Sequence, residues 1–216
     1  EADLVYLARP INLIIKTLGE IDQWLRPGAL VTDAGSTKMQ IVAQGARAIR
    51  RGQFLGGHPM AGKERRGVEE AEAELFENRT YALTPLTPTD LDPDFVEWIT
   101  RIGAVPVILD PAEHDRIVSF TSHLAQLAST ALAATVGQHV KEHLEISGPG
   151  LADTTRLALS SYDLWRDIVA TNTAEIQRAL AAYIQELEHI REHLHSRSLE
   201  DEFHNGAALA RRLRSR

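Results

Sequence analysis

The sequence predicts an α/β fold over its first half and an all-helical fold over its second. Between Leu4 and Leu109 short apolar runs alternate with segments whose apolar residues recur at helical spacing, and beyond Pro111 no segment reads as a strand. Strand and helix taken in turn predict a largely parallel sheet with helices on its faces, because a parallel pair needs a crossover between its strands. The third observation is a single break, Ser147-Gly148-Pro149-Gly150, whose glycines and proline divide the helical half by a turn.

In chain order, Leu4-Val5-Tyr6-Leu7 is the first strand and Ile11 to Leu25 the helix after it. Ala29-Leu30-Val31-Thr32 is the second strand, with Thr37 to Arg50 as its helix. Phe54-Leu55, Tyr81-Ala82-Leu83 and Val105-Pro106-Val107-Ile108-Leu109 complete the strands. In the helical half, Ala112 to His143, Asp163 to His195 and Ser198 to Arg216 are expected as helices. Two of them carry apolar stripes: Ile117, Phe120, Leu124, Leu127, Ala128, Ala131 and Ala134 on one, Ile176, Leu180, Tyr183, Ile184, Leu187 and Ile190 on the other. Such stripes need a covering surface, so a homodimer through the helical half is expected. The expected domains are residues 1–110 and 111–216.

A chain of 216 residues, 44% of them hydrophobic, can bury one large or two modest cores. Its net charge of -7, with no basic stripe interleaved with aromatics, argues against nucleic acid as a partner. Zero cysteines exclude disulfides and thiolate chemistry and agree with a cytoplasmic address. No apolar stretch approaches the roughly 20 residues that span a bilayer, so no membrane partner is expected.

The chemistry concentrates in three motifs. Gly56-Gly57-His58-Pro59-Met60-Ala61-Gly62 sets one histidine between glycines and a proline where a strand should end, and an imidazole there can accept a proton from a substrate hydroxyl. Asp33-Ala34-Gly35-Ser36-Thr37-Lys38 stands between the second strand and its helix. Asp153-Thr154-Thr155-Arg156 follows the Gly-Pro break and puts an acid and a guanidinium on one helix face. There the acid can steady the guanidinium while its other donors hold a carboxylate. A hydrolase triad of Ser36, His58 and Asp33 is disfavoured, since no G-x-S-x-G elbow is present, and Gly35-Ser36-Thr37-Lys38 reverses the order of a phosphate loop. His189 and His193, one turn apart, lack the third ligand of a zinc site, so no metal is expected.

Together these motifs, with Ala8-Arg9-Pro10, Glu113-His114-Asp115, Ser122-His123-Leu124 and Leu164-Trp165-Arg166-Asp167-Ile168, resemble the prephenate and arogenate dehydrogenases of tyrosine biosynthesis, from about Asp3 to about Ala182. The resemblance implies a partial Rossmann-like, doubly wound domain followed by a helical dimerisation domain. Enzymes of that type open with strand, G-x-G-x-x-G and helix. No such fingerprint occurs here, and the resemblance places Glu1 in the second half of that domain, with roughly 60 or more residues of a family member before it.

The resemblance also assigns roles. His58 is the base and Ser36 its partner toward the cofactor. Arg156 is the carboxylate clamp, with Asp153, Ser122, His123, Gln126, Lys63, Glu64 and Trp165 around the substrate. Ala8, Arg9, Pro10, Asp33, Gly35, Ser36 and Thr37 face the cofactor, NAD being the commoner family case and NADP the alternative. Many prephenate-using members read S-H-L-P-H where this chain reads Ser122-His123-Leu124-Ala125-Gln126. An amide cannot supply the charge of a second histidine, so arogenate stands beside prephenate as a substrate. Lys63 is the residue that can restore the charge, and Glu64 can pair with it. The implied reaction is NAD(P)-dependent oxidative decarboxylation of prephenate to 4-hydroxyphenylpyruvate. The competing class is a ligand-binding or dimerisation protein that has lost its cofactor grip.

Overall fold

The computed structural model describes residues 2–62, 68–197 and 199–215. The chain forms two compact units, Glu1–Ile176 and Gln177–Arg216. The first contains five strands, β1 (Leu4–Leu7), β2 (Leu30–Asp33), β3 (Gln53–Pro59), β4 (Thr80–Thr84) and β5 (Val105–Ile108), in one sheet of order β1-β2-β3-β4-β5. Three pairings are parallel, and β3 with β4 is antiparallel. The antiparallel pair departs from strict alternation for a physical reason. The described part of the connection between β3 and β4 holds two 3-10 turns and no α-helix to carry a crossover.

Period-two alternation sorts the strands' side chains onto two faces. On one face α1 (Ile11–Ile21) and α2 (Met39–Ala48) bury Ile11, Ile14, Leu18, Ile41 and Val42 against Leu7, Val31 and Phe54. On the other, α3 (Pro93–Arg101) places Phe95 and Ile99 on Leu30, Leu55, Tyr81 and Leu83. Each such fully buried aliphatic side chain contributes about 1.5–3 kcal/mol. All four residues of β2 are buried, whereas β5 is an exposed edge.

The sheet is followed by α4 (Pro111–Val118), a π-helical turn (Ser119–His123), α5 (Leu124–His139), α6 (Pro149–Thr155) and α7 (Tyr162–Thr171), and α8 (Thr173–Glu192) begins before the unit ends. The long helix expected from Ala112 to His143 is therefore interrupted. Ser119 and Thr121 hydroxyls donate back to the carbonyls of Arg116 and Ile117, which bends the segment and accommodates the wider turn. The helix expected from Asp163 to His195 breaks at Asn172, whose side chain is held elsewhere in the fold. The first helix is shorter than expected as well, passing into a 3-10 turn at Asp22–Trp24, and α2 begins at Met39 because Thr37 and Lys38 are held by other partners.

The second unit contains the remainder of α8 and α9 (Leu199–Arg214). Ile184, Leu187, Phe203, Leu209 and Leu213 stand exposed on it. Here His189 and His193 stack with ring centroids 4.3 Å apart. Among the described residues no group of three or more His, Cys, Asp or Glu is placed to hold a metal. No helix among them is long and apolar enough to cross a membrane.

Candidate active site

The β2–α2 bend is built around a buried ion pair. Asp33 and Lys38 are both 0% exposed, and Lys38 Nζ pairs with Asp33 Oδ2. Asp33 Oδ2 also accepts from Gly35 N at 2.7 Å, its Oδ1 accepts from Gly57 N at 3.1 Å, and Lys38 Nζ donates to the Gly57 carbonyl at 2.6 Å. A charge pair this deep is tolerated only with further hydrogen bonds around it, which Gly35 N, Gly57 N and the Gly57 carbonyl supply here. Burial pulls the Lys38 ammonium down from its ordinary range, while Asp33 and then Asp115 hold it up. The arrangement requires glycine at two points. A Cβ on Gly35 would lie 2.4 Å from Ile41 Cδ1, and one on Gly57 would lie 2.6 Å from the Asp33 carbonyl.

This bend fastens β3 to β2, which is why the glycine-histidine motif is strand rather than loop. His58 is the penultimate residue of β3, at the strand's end as expected, and pairs there with Ala82 of β4. Its ring meets α4. His58 Nδ1 is 2.9 Å from His114 Nε2, and His114 Nδ1 is 2.8 Å from Asp115 Oδ1. Asp110 caps α4 by accepting from Ala112 N and Glu113 N, and Pro111 opens the helix, so His114 and Asp115 leave its first turns at a fixed angle. Asp115 reaches the start of α2, where Oδ1 accepts from Lys38 N at 2.7 Å and Oδ2 from Met39 N at 3.0 Å. It thus satisfies the donors that α2, lacking a side-chain cap of its own, would leave open.

Two further histidine environments follow. Burial, then the charge of Lys38, then His114 and His123, hold His58 well below its ordinary 6.5, so it is a neutral imidazole near pH 7. His123, in the π-helical turn, is 1% exposed and burial lowers it to about 4. Asn172 Nδ2 donates to the Asp115 carbonyl at 2.9 Å and lies 3.3 Å from His123 Nδ1, and the His123 ring stands edge-on to Trp165 at 5.8 Å. Trp165 Nε1 is buried with no hydrogen-bond partner among the described residues.

Beside this network lies a cavity of about 460 Å³ lined by the end of β1, the β2–α2 bend and α7. It gathers Ala8, Arg9, Pro10, Gly35 and Ser36 of the expected cofactor residues, and adds Asp163, Leu164 and Asp167 from α7. Asp33 and Thr37 do not line it. Asp33 is committed to the bend, and Thr37 Oγ1 is bonded to Thr171 Oγ1 at 2.7 Å. Ser122 is half-buried in the turn that carries His123. Asp153 lies on α6, and Arg156 opens the 3-10 turn after it (Arg156–Leu159), both exposed. Gln126 joins that turn to α5, its Nε2 donating to the Leu157 carbonyl at 2.7 Å and to Thr130 Oγ1 at 3.2 Å. The donor end expected to meet a substrate carboxylate is thus engaged inside the protein. Lys63 and Glu64 lie outside the described residues.

Sequence reasoning gave no role to Lys38, His114, Asp115 or Asn172. A lysine closing an Asp-x-Gly-x-x-Lys turn, and an acid after a histidine just inside a capped helix start, were the available signs for the first three. Asn172 carried none, since it reads as helix interior.

A family model described as prephenate dehydrogenase, nucleotide-binding domain, matches residues 1–104, and one described as prephenate dehydrogenase, dimerization domain, matches residues 110–208. The prephenate dehydrogenase of Lactococcus lactis subsp. cremoris (strain MG1363) is 34% identical over 178 residues, covering 80% of this chain and 49% of that protein. That of Bacillus subtilis (strain 168) is 34% identical over 214 residues, covering 94% of this chain and 57% of that protein. The chain spans about half the length of these curated relatives. The crystal structure of prephenate dehydrogenase from A. aeolicus in complex with hydroxyphenyl propionate and NAD+ matches with a TM-score of 0.82 at 29% identity, covering 99% of this chain and 76% of that one.

Proposed function

We propose that this chain, which belongs to the prephenate/arogenate dehydrogenase family, carries out NAD-dependent oxidative decarboxylation of prephenate to 4-hydroxyphenylpyruvate as a cytoplasmic homodimer. Two observations carry the reading: His58 is a neutral imidazole held by His114, and a cavity lies at the ends of the parallel strands β1 and β2, lined by the β2–α2 bend and α7.

The cavity suits a dinucleotide's nicotinamide end. It opens where parallel strands β1 and β2 end, at a bend where a Cβ on Gly35 would collide with Ile41. Ala8, Arg9, Pro10, Gly35 and Ser36 would hold the group there, and when bound it supplies the hydride acceptor. NAD rather than NADP is supported by the NAD+ held in the A. aeolicus neighbour. The chain's residues then have four tasks. His58 takes the proton of the ring hydroxyl as hydride leaves the same carbon. Arg156 holds a substrate carboxylate, with Asp153 three residues before it to orient neighbouring groups. Trp165 Nε1–H, a buried donor without a partner among the described residues, is available to a substrate oxygen. Burial, with the charge of Lys38 and then His114 and His123 nearby, keeps His58 neutral between turnovers. Loss of carbon dioxide from the resulting dienone yields an aromatic ring, which makes the sequence irreversible.

Arogenate is the second reading, and Gln126 favours it. Its Nε2 must face the Leu157 carbonyl, a pure acceptor, which leaves Oε1 as the end able to serve a ligand. An acceptor suits the ammonium of arogenate better than the keto acid of prephenate. A non-catalytic remnant would need neither a depressed imidazole nor the network that holds it.

The homodimer rests on the dimerization-domain match and on Phe120, Leu132, Ile184, Leu187 and Phe203, all exposed on a single chain. The deciding assay follows reduced nicotinamide by absorbance, with prephenate and arogenate offered in parallel and NAD+ and NADP+ each supplied. Turnover with prephenate and NAD+ is expected. Preference for arogenate would replace the first substrate by the second, and substrate binding by calorimetry without turnover would leave the remnant.

A further inference from the structure

Asp115, His114 and His58 form a directed chain of hydrogen bonds whose sense can be read from the acceptors at its far end. Asp115 Oδ1 and Oδ2 face two backbone N–H groups of α2, so the carboxylate is placed as an acceptor. The His114 nitrogen 2.8 Å from that same Oδ1 is then the protonated one, Nδ1–H. With that one proton on the ring, the lone pair of His114 is on Nε2, and that atom lies 2.9 Å from His58 Nδ1. Nδ1 of His58 must donate.

We propose that His114 and Asp115 are positioning residues that hold His58 as the tautomer protonated on Nδ1, leaving Nε2 as the atom that accepts the substrate proton. This inference rests on the reading of His58 as the base. Three features of the surroundings support it. His114 and Asp115 are each 1% exposed, so no water competes for the relay. Asn172 takes the Asp115 carbonyl and tightens the turn that carries both residues. The edge-on arrangement of the two imidazoles, at 67° with centroids 5.1 Å apart, lets an in-plane N–H of one ring meet an in-plane lone pair of the other. The groups facing His58 are Lys38 with Asp33 from the β2–α2 bend, His114 with Asp115 from α4, and His123 from the π-helical turn. When His58 takes up a proton, the positive charge lies one imidazole away from the Asp115 carboxylate, and the ring keeps its orientation because Nδ1 was already a donor.

The test is direct. In the 216-residue chain with 15N-labelled histidine, nitrogen spectra near neutral pH should show His58 with a protonated Nδ1 and an unprotonated Nε2, the His58→Asn spectrum assigning the signals. A proton on Nε2 would overturn the proposal, and this reading needs neither turnover nor a variant of the relay, so it is independent of whether prephenate is the substrate. In the assay, His114→Leu should lower kcat roughly ten- to hundredfold, with KM changed less than about threefold. His114→Gln, whose amide oxygen can still accept from Nδ1, should recover most of that loss. A His114→Leu variant that keeps both the wild-type His58 tautomer and kcat, or a His114→Gln variant no better than His114→Leu, would contradict the role.

Discussion

The chain holds its two sets of candidate polar residues in opposite ways. Beneath the β2–α2 bend, Asp33, Lys38, His114 and Asp115 are at most 1% exposed, and each has protein partners. On α6 and the turn after it, Asp153 and Arg156 are exposed on a segment that Gln126 ties back through the Leu157 carbonyl. The difference teaches what each is suited to. A base must have one protonation state and one orientation before substrate arrives, which burial and fixed partners provide. A carboxylate clamp must admit and release a charged molecule, which an exposed guanidinium does at lower desolvation cost.

That contrast can be broken in four places. His58→Asn should reduce kcat by about a thousandfold, within the span general-base removal covers, while KM stays within about threefold; steady-state kinetics decide it, and an equal loss of binding would move His58 out of the chemistry. Lys38→Met leaves Asp33 buried without its counter-charge, and urea unfolding should show a loss of about 3–5 kcal/mol. A loss below about 1 kcal/mol would mean that the pair is not what holds the bend.

Lowered pH tests the buried side in another way. His58 and His123 are held neutral in the fold, so below their ordinary 6.5 the unfolded chain binds more protons than the folded one. Their contribution is therefore whole above about pH 6.5 and is lost as the pH falls, for His123 down to about 4. That loss is on the order of 3 kcal/mol for His123. The His123→Gln variant should show a visibly flatter decline in denaturation midpoint over this range. The smallest effect is expected on the exposed side. Arg156→Gln should raise KM roughly ten- to hundredfold, through lost charge-assisted bonds, with stability within about 0.5 kcal/mol of wild type. Unchanged KM would remove the clamp from this segment.

The strands were legible because each has a short apolar run with an abrupt edge, and Leu4–Leu7, Leu30–Asp33 and Thr80–Thr84 fall within a residue of the expected positions. Less legible was anything set by tertiary contact. Gly56 to Pro59 read as loop because glycine and proline disfavour strands, yet the Gly57 N–H and carbonyl are both taken up by the Asp33–Lys38 pair, and the chain is held extended. The continuous helices expected around Ser119 and Asn172 are interrupted where the Ser119 and Thr121 hydroxyls bond back to the Arg116 and Ile117 carbonyls and where Asn172 serves Asp115 and His123, demands that periodicity does not record. In the site, Ala8, Arg9, Pro10, Gly35 and Ser36 line one cavity, while Asp33 and Thr37 do not. Asp33 and the Gln126 amide nitrogen carry the right polarity for a ligand but are turned inward, a direction set by tertiary contact rather than by local sequence.

The central claim is that a neutral His58, kept so by burial and Lys38, is the base. It is tested most directly by the pH dependence of kcat/KM for prephenate oxidation in wild type and His58→Asn. A single acid limb lying below the ordinary histidine value of 6.5, and absent from the residual activity of the variant, is the predicted result. A limb at or above 6.5, or one that survives the substitution unchanged, would contradict it.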